Sequence, residues 1–157
     1  MRIKCKKILI DNPESNPPLK QTDWLTVGKE YVVLTVYKSR NEISYHIESD
    51  YNDEPVIVDA EQFQVLTNYI PSNWEIKVKD YENGTYYLKL APRAWNEADF
   101  DFWEDITNIS GPFDKYRYSP YMPNHVPREV TLFLQERDII YREEEEYQKK
   151  LKSKSSS

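Results

Sequence analysis

The sequence predicts a mainly β, α+β domain: a curled antiparallel sheet that carries a β-hairpin and is followed by a C-terminal helical extension. Three observations predict it. Runs of β-branched and aromatic residues, several alternating apolar with polar, occupy much of positions 1–92. Asn83-Gly84 sits between two alternating arms, the dipeptide that supplies positive φ at a tight hairpin. From Pro127 onward the apolar spacing changes to threes and fours, the period of a helix. The expected organisation is a β domain over 1–92, a helical extension over 93–152 packed on it, and a disordered tail over 153–157.

Each element follows from its own stretch. MRIKCKKILI alternates and reads as a first strand, and DNPESNPPLKQTD, with three prolines among turn formers, reads as an irregular loop. In LTVGKEYVVLTVYKS, Gly28 turns the chain into a single strand from Glu30 to Lys38. ISYHIESD places Ile43, Tyr45 and Ile47 on one face and Ser44, His46 and Glu48 on the other. PVIVDA gives a third consecutive strand and FQVL a brief fourth. WEIKVKDYENGTYYLKL is the hairpin over 74–90, with a type I′ turn at Asn83-Gly84. PRAWNEADFDFWEDITN fits a helix, and SGPFDKYRYSPYMPNHVP fits an aromatic segment crossing the core. Arg128 to about Lys152 fits a long helix with Pro127 at its opening and Val130, Phe133, Leu134, Ile140 and Tyr141 as its apolar stripe. Its second half is polar and is expected to fray or project, helped by Glu145–Lys149 and Glu146–Lys150 pairs.

Composition narrows the function. Of 157 residues, 31% are charged and 39% hydrophobic, the net charge is −6, and no apolar run approaches a membrane span. The negative balance argues against nucleic acid, whose phosphates need a basic face, and favours a basic partner. The N-terminus lacks the apolar core of a secretory signal, which leads to the expectation of a cytoplasmic protein. One cysteine, Cys5, fits a reduced compartment and has no base beside it. His46 and His125, with Cys5, lack metal-ligand spacing; the three glycines form no phosphate cradle, and no nucleophile elbow is present. No metal or cofactor is therefore expected. Asn83-Gly84-Thr85 and Asn108-Ile109-Ser110 match the glycosylation tripeptide, which without a secretory route goes unused.

WNEADFDFWEDI, residues 95–106, concentrates five carboxylates and four rings. At about 100° per residue, Trp95, Ala98, Phe102, Trp103 and Ile106 share an inward arc, and Glu97, Asp101, Glu104 and Asp105 face water. Paired catalytic carboxylates need a cleft that raises one pKa, whereas this spacing gives an open ridge. Two alternatives remain: a solvated face over an aromatic stripe, or a docking ridge whose like charges four apart give up a little stability. Thirteen tyrosines form the second unusual feature. Tyr116, Tyr118 and Tyr121 cluster with Arg117, residue types enriched at interface hot spots, although they could equally cover the core. These eight residues (Glu97, Asp101, Glu104, Asp105, Tyr116, Arg117, Tyr118 and Tyr121) are the candidate partner-binding positions.

MRIKC, LTVGKEYVVL, YHIESD and PVIVDAEQFQVL together resemble small bacterial and phage proteins with an SH3-like barrel, over residues 1–66. The resemblance implies that barrel and little about function, since such barrels serve many roles. IPSNW, the Asn-Gly hairpin, APRAW and FWE are similar to bacterial proteins found beside polymorphic or contact-dependent toxins, among which small acidic immunity proteins are frequent. That likeness implies a non-catalytic protein that neutralises a toxin domain by binding it. A general SH3-like module for protein or peptide, and a small hydrolase using clustered carboxylates, are the alternatives.

Overall fold

A computed structural model describes residues 1–12, 19–20, 24–51, 53, 55–80, 84–97 and 128–155. In chain order the strands are β1 (Arg2–Cys5), β2 (Ile10–Asn12), β3 (Leu19–Lys20), β4 (Glu30–Val32), β5 (Thr35–Lys38), β6 (Ile43–Glu48), β7 (Pro55–Asp59), β8 (Phe63–Thr67), β9 (Trp74–Asp80) and β10 (Tyr86–Pro92). A 3-10 turn, Ala60–Gln62, joins β7 to β8, and its Glu61 amide donates to Asp59 Oδ1 at 2.8 Å. Two α-helices complete the described chain, α1 (Arg93–Glu97) and α2 (Arg128–Ser155).

The strands form two main antiparallel sheets, β4-β1-β8 and β7-β6-β5-β10-β9, with β2-β3 as a small ribbon. Among the described residues the two sheets remain separate ladders and do not close into a barrel. The single strand expected from Glu30 to Lys38 is divided: Glu30–Val32 pairs with β1, and Thr35–Lys38 pairs with β6 and β10. Between them Val33 donates to Met1 O at 3.0 Å and Leu34 to His46 O at 2.8 Å, so one stretch of chain passes from sheet to sheet. Both side chains are fully buried there. The bend is what brings the apolar faces of the two sheets together, as in packed sandwiches.

The core lies between those faces. Ile3 and Cys5 of β1 meet Tyr45, Ile47 and Val58 of the larger sheet, and Phe63 takes edge-on contacts from Tyr31 and Tyr45, each at 6.1 Å between centroids. Cys5 is buried, donates to Lys7 O at 3.5 Å, and has its thiol pKa pushed up by burial, the opposite of an activated nucleophile. Tyr45 and Ile47 are buried as their alternation predicts, but Ile43 is exposed and His46 on the opposite face is only 4% exposed. The second face of β6 is covered as well, and α2 contributes to that cover at Glu48.

Four further expectations change. Ile10–Asn12 and Leu19–Lys20 pair as a ribbon, because the prolines of the presumed loop fall between its two arms. The hairpin is present, with Leu88 opposite Val78 and Leu90 opposite Ile76, but its last pair is Tyr86 with Asp80, which leaves residues 81–85 to connect the arms. A two-residue type I′ turn at 83–84 would instead set Val78 opposite Lys89, one residue out of the observed pairing. Gly84 has φ +77°, where a β-carbon is costly, and Asn83 lies outside the described residues. The terminal helix runs through Ser155 rather than stopping at Lys152, and Ser153 and Ser155 donate back to the carbonyls of Lys150 and Lys152. Finally, part of its polar half docks on the β domain.

That docking comes from Glu143 and Glu144. Glu144 is fully buried and lies on the stripe of Phe133 and Ile140 at helical spacing. It accepts from the Met1 ammonium, Thr67 Oγ1 and Gln148 Nε2, each at 3.0 Å. Burial pushes its carboxyl up, but the bonds from Gln148, the Met1 ammonium and Thr67 outweigh this and hold it below the ordinary glutamate value. Glu143 accepts from Tyr69 and from the Ser72 amide, each at 2.9 Å, while Tyr69 stacks on Tyr147.

Candidate protein-binding surface

The acidic helix predicted from WNEADFDFWEDI begins in α1. Trp95 points inward, 2% exposed, stacks on Phe133 at 5.2 Å and donates its indole N–H to Leu132 O at 3.2 Å. Glu97 points outward from the same turn and is exposed. Rings inward and acid outward is the arrangement the spacing predicts, for the part of the segment described. Asp101, Glu104, Asp105, Tyr116, Arg117, Tyr118 and Tyr121 lie outside the described residues.

Glu97 lines an open groove of about 390 Å³ whose other walls include Ser72, Asn73, Glu75, Arg93 and Glu136. The loop before β9, the start of β9, α1 and α2 each supply part of it. Arg93 stands among the acids, its Nε 2.8 Å from Glu97 and 3.8 Å from Glu75. Hydrogen bonding to Glu97, then the charges of Glu97 and Glu75, push the guanidinium pKa up. Asn73 donates to Glu136 Oε2 at 2.7 Å and to Glu136 O at 3.3 Å, tying the loop to α2. Asn96 donates to the carbonyls of Glu75 and Ala91, tying α1 to the hairpin. Three carboxylates against one guanidinium leave the groove negative, on backbone that is fixed by hydrogen bonds. A smaller hollow of about 230 Å³ at the other end of β10, lined by Lys38, Arg40, Tyr86 and Leu88 among others, carries positive charge.

Glu75, Arg93 and Glu136 are not evident as site residues in the sequence. Arg93 stands just before the lysine- and arginine-free stretch and offsets Glu97 across one helical turn. Glu75 and Glu136 become neighbours of Glu97 only through the hairpin and the docking of α2. The local signal that could have marked Glu75 is its place on the polar side of an alternating strand.

Glu48, whose side chain is 8% exposed, is a further buried acid and does not line this groove. Tyr141 donates to one oxygen, Arg137 Nη1 donates to the other at 3.1 Å, and Arg137 lies 5.8 Å from the Tyr141 ring centroid. Burial raises the Glu48 carboxyl pKa, with Tyr141 and Arg137 opposing it; burial and then the Glu48 charge raise the Tyr141 phenol pKa. Both acceptor oxygens are engaged, so the cluster joins α2 to β6. Tyr141→Phe is expected to lower unfolding free energy by about 1.5–3 kcal/mol, the worth of a hydrogen bond to a charged group, as read in urea melts. A loss under about 0.5 kcal/mol would show that the hydroxyl is not a tether.

Among the described residues no group of three or more His, Cys, Asp or Glu side chains is placed to hold a metal ion, and no helix is long and apolar enough to cross a membrane. The chain matches no protein-family model, no curated protein and no solved structure.

Proposed function

We propose that this chain is a non-catalytic binding protein of the SH3-like type that acts in the bacterial cytoplasm as an immunity protein, neutralising a basic toxin domain by direct contact. The observation that carries the proposal is the acidic groove, where Glu75 and Glu97 flank Arg93 and Glu136 lines the same hollow. Its carboxylates sit on a strand and two helices, so a partner lysine or arginine meets negative charge held in place. Prearranged charge of this kind accelerates encounter and selects partners. The net charge of −6 adds a long-range field of the same sign. Asp101, Glu104, Asp105, Tyr116, Arg117, Tyr118 and Tyr121, outside the described residues, are proposed as further partner contacts on the strength of their sequence pattern alone.

The test first asks whether a gene beside this one encodes a toxin with a basic domain, an absence that would itself count against the proposal, and then uses the full chain with that domain. Biolayer interferometry is expected to show saturable 1:1 binding, with Glu97→Lys plus Glu136→Lys lowering the association rate by about tenfold and flattening its salt dependence. Wild-type kinetics in that double variant would remove the groove from the interface. No binding, together with no protection of cells expressing the toxin domain, would sink the immunity function itself.

A further inference from the structure

The hairpin strand β9 ends the five-stranded sheet, with no strand on its outer side among the described residues. Its apolar residues are not covered: Ile76 is 68% exposed and Val78 54%, with Tyr86 on β10 beside them at 59%. Register places these three on one face of the sheet, since Ile76 pairs with Leu90, Val78 with Leu88 and Asp80 with Tyr86. Glu75 and Lys77 lie on the opposite face and are exposed. An edge strand with this much free apolar surface is a template for further pairing, and proteins usually guard such edges with charge. A guard that repels its own copy would carry one sign. β9 instead carries acid and base on either side of Ile76.

We propose that β9 is a homodimerisation edge, on which two copies pair antiparallel about a two-fold axis through Ile76. The charge order selects this register. Any register that keeps Ile76 and Val78 on the same face has its axis at a residue, because a slip by one residue turns every side chain over. An axis at Glu75 opposes two glutamates. An axis at Lys77 or Lys79 opposes that lysine to itself, and an axis at Val78 opposes Lys77 to Lys79. An axis at Ile76 sets Glu75 of each copy against Lys77 of the other, Ile76 against Ile76, and Val78 against Trp74. The contact is isologous and closes as a dimer. Lys77 Nζ already donates to Asn96 O on its own chain at 2.8 Å, an exposed bond that leaves the ammonium two further donors for the second copy. The result is one continuous sheet across both copies, with two cross-strand ion pairs on one face and an apolar row on the other.

Sedimentation equilibrium of the full chain in the micromolar range tests the proposal, with thermal melts confirming that each variant folds. The wild type is expected to dimerise. Glu75→Lys and Lys77→Glu should each weaken the dimer by about tenfold or more through the like charges they oppose, and the double variant should recover most of the loss. Ile76→Arg, which alters no existing ion pair, should give monomer. A wild-type chain that stays monomeric overturns the proposal, as does a dimer indifferent to these changes or one that the double variant fails to restore. Glu75 also lines the acidic groove, so the Ile76→Arg variant, which leaves every groove carboxylate in place, is the one whose outcome is separate from that of the toxin-binding experiment.

Discussion

Phe133→Ala is expected to lower the unfolding free energy by about 3–5 kcal/mol, the range for truncating a buried aromatic ring. Phe133 is fully buried and lies face to face with Trp95, their planes 6° apart, so the substitution opens a void against an indole that cannot follow it. The loss is a large fraction of the about 5–15 kcal/mol by which a typical domain is stable. It falls where α1, α2 and the β domain meet, so helix docking and sheet stability should be lost together. Urea denaturation followed by circular dichroism measures it, with Leu151→Ala, exposed near the helix end, as a control expected within about 0.5 kcal/mol of wild type. A cost for Phe133→Ala as small as that of the control would mean that α2 is not packed on the domain.

Acid is expected to destabilise the fold well above the range in which most carboxylates titrate. Burial, with the nearby Lys89 charge adding to it, lowers the His46 pKa from 6.5 to about 3. The folded chain therefore holds a neutral imidazole while the unfolded chain takes up a proton below 6.5. Stability from this group is fully present above 6.5 and is lost as pH falls toward 3. The slope is about 1.4 kcal/mol per pH unit, reaching on the order of 4–5 kcal/mol at the bottom of the window. Asp50, Glu143 and Glu144, held below their ordinary values, add losses of the same sign at lower pH, and Glu48, raised by burial, opposes them. Urea midpoints at pH 6.5, 6.0, 5.5 and 5.0 would isolate His46, with His46→Leu expected to flatten the profile. An unchanged slope in that variant would place the titrating group elsewhere.

The strands were legible in the sequence because period-two alternation is a local property, and so were the two arms of the hairpin, but the two-residue turn read at Asn83-Gly84 implies a pairing one residue away from the observed one. The division of 30–38 was not. Nothing in EYVVLTVYK distinguishes a straight strand from one that changes sheets, since Val33 and Leu34 suit either. Glu143 and Glu144 read as part of a solvated glutamate run, although extending the stripe from Phe133 and Ile140 would have reached Glu144. The Glu48 tether to Arg137 and Tyr141 spans two elements far apart in the chain, and no local pattern announces it. Of the acidic surface, Glu97 was legible from helical spacing, and its neighbours Glu75 and Glu136 required the tertiary arrangement.

The passage of Val33 and Leu34 from one sheet to the other has a consequence for how this chain can be divided. A cut or insertion there would deprive both layers of a strand at once, because the same backbone completes β4-β1 and enters β5-β6. Neither layer is thus a separable module that could be transplanted or circularly permuted on its own. The smallest heritable unit is the whole two-layered body, and new sequence can be accommodated only at its outer connections.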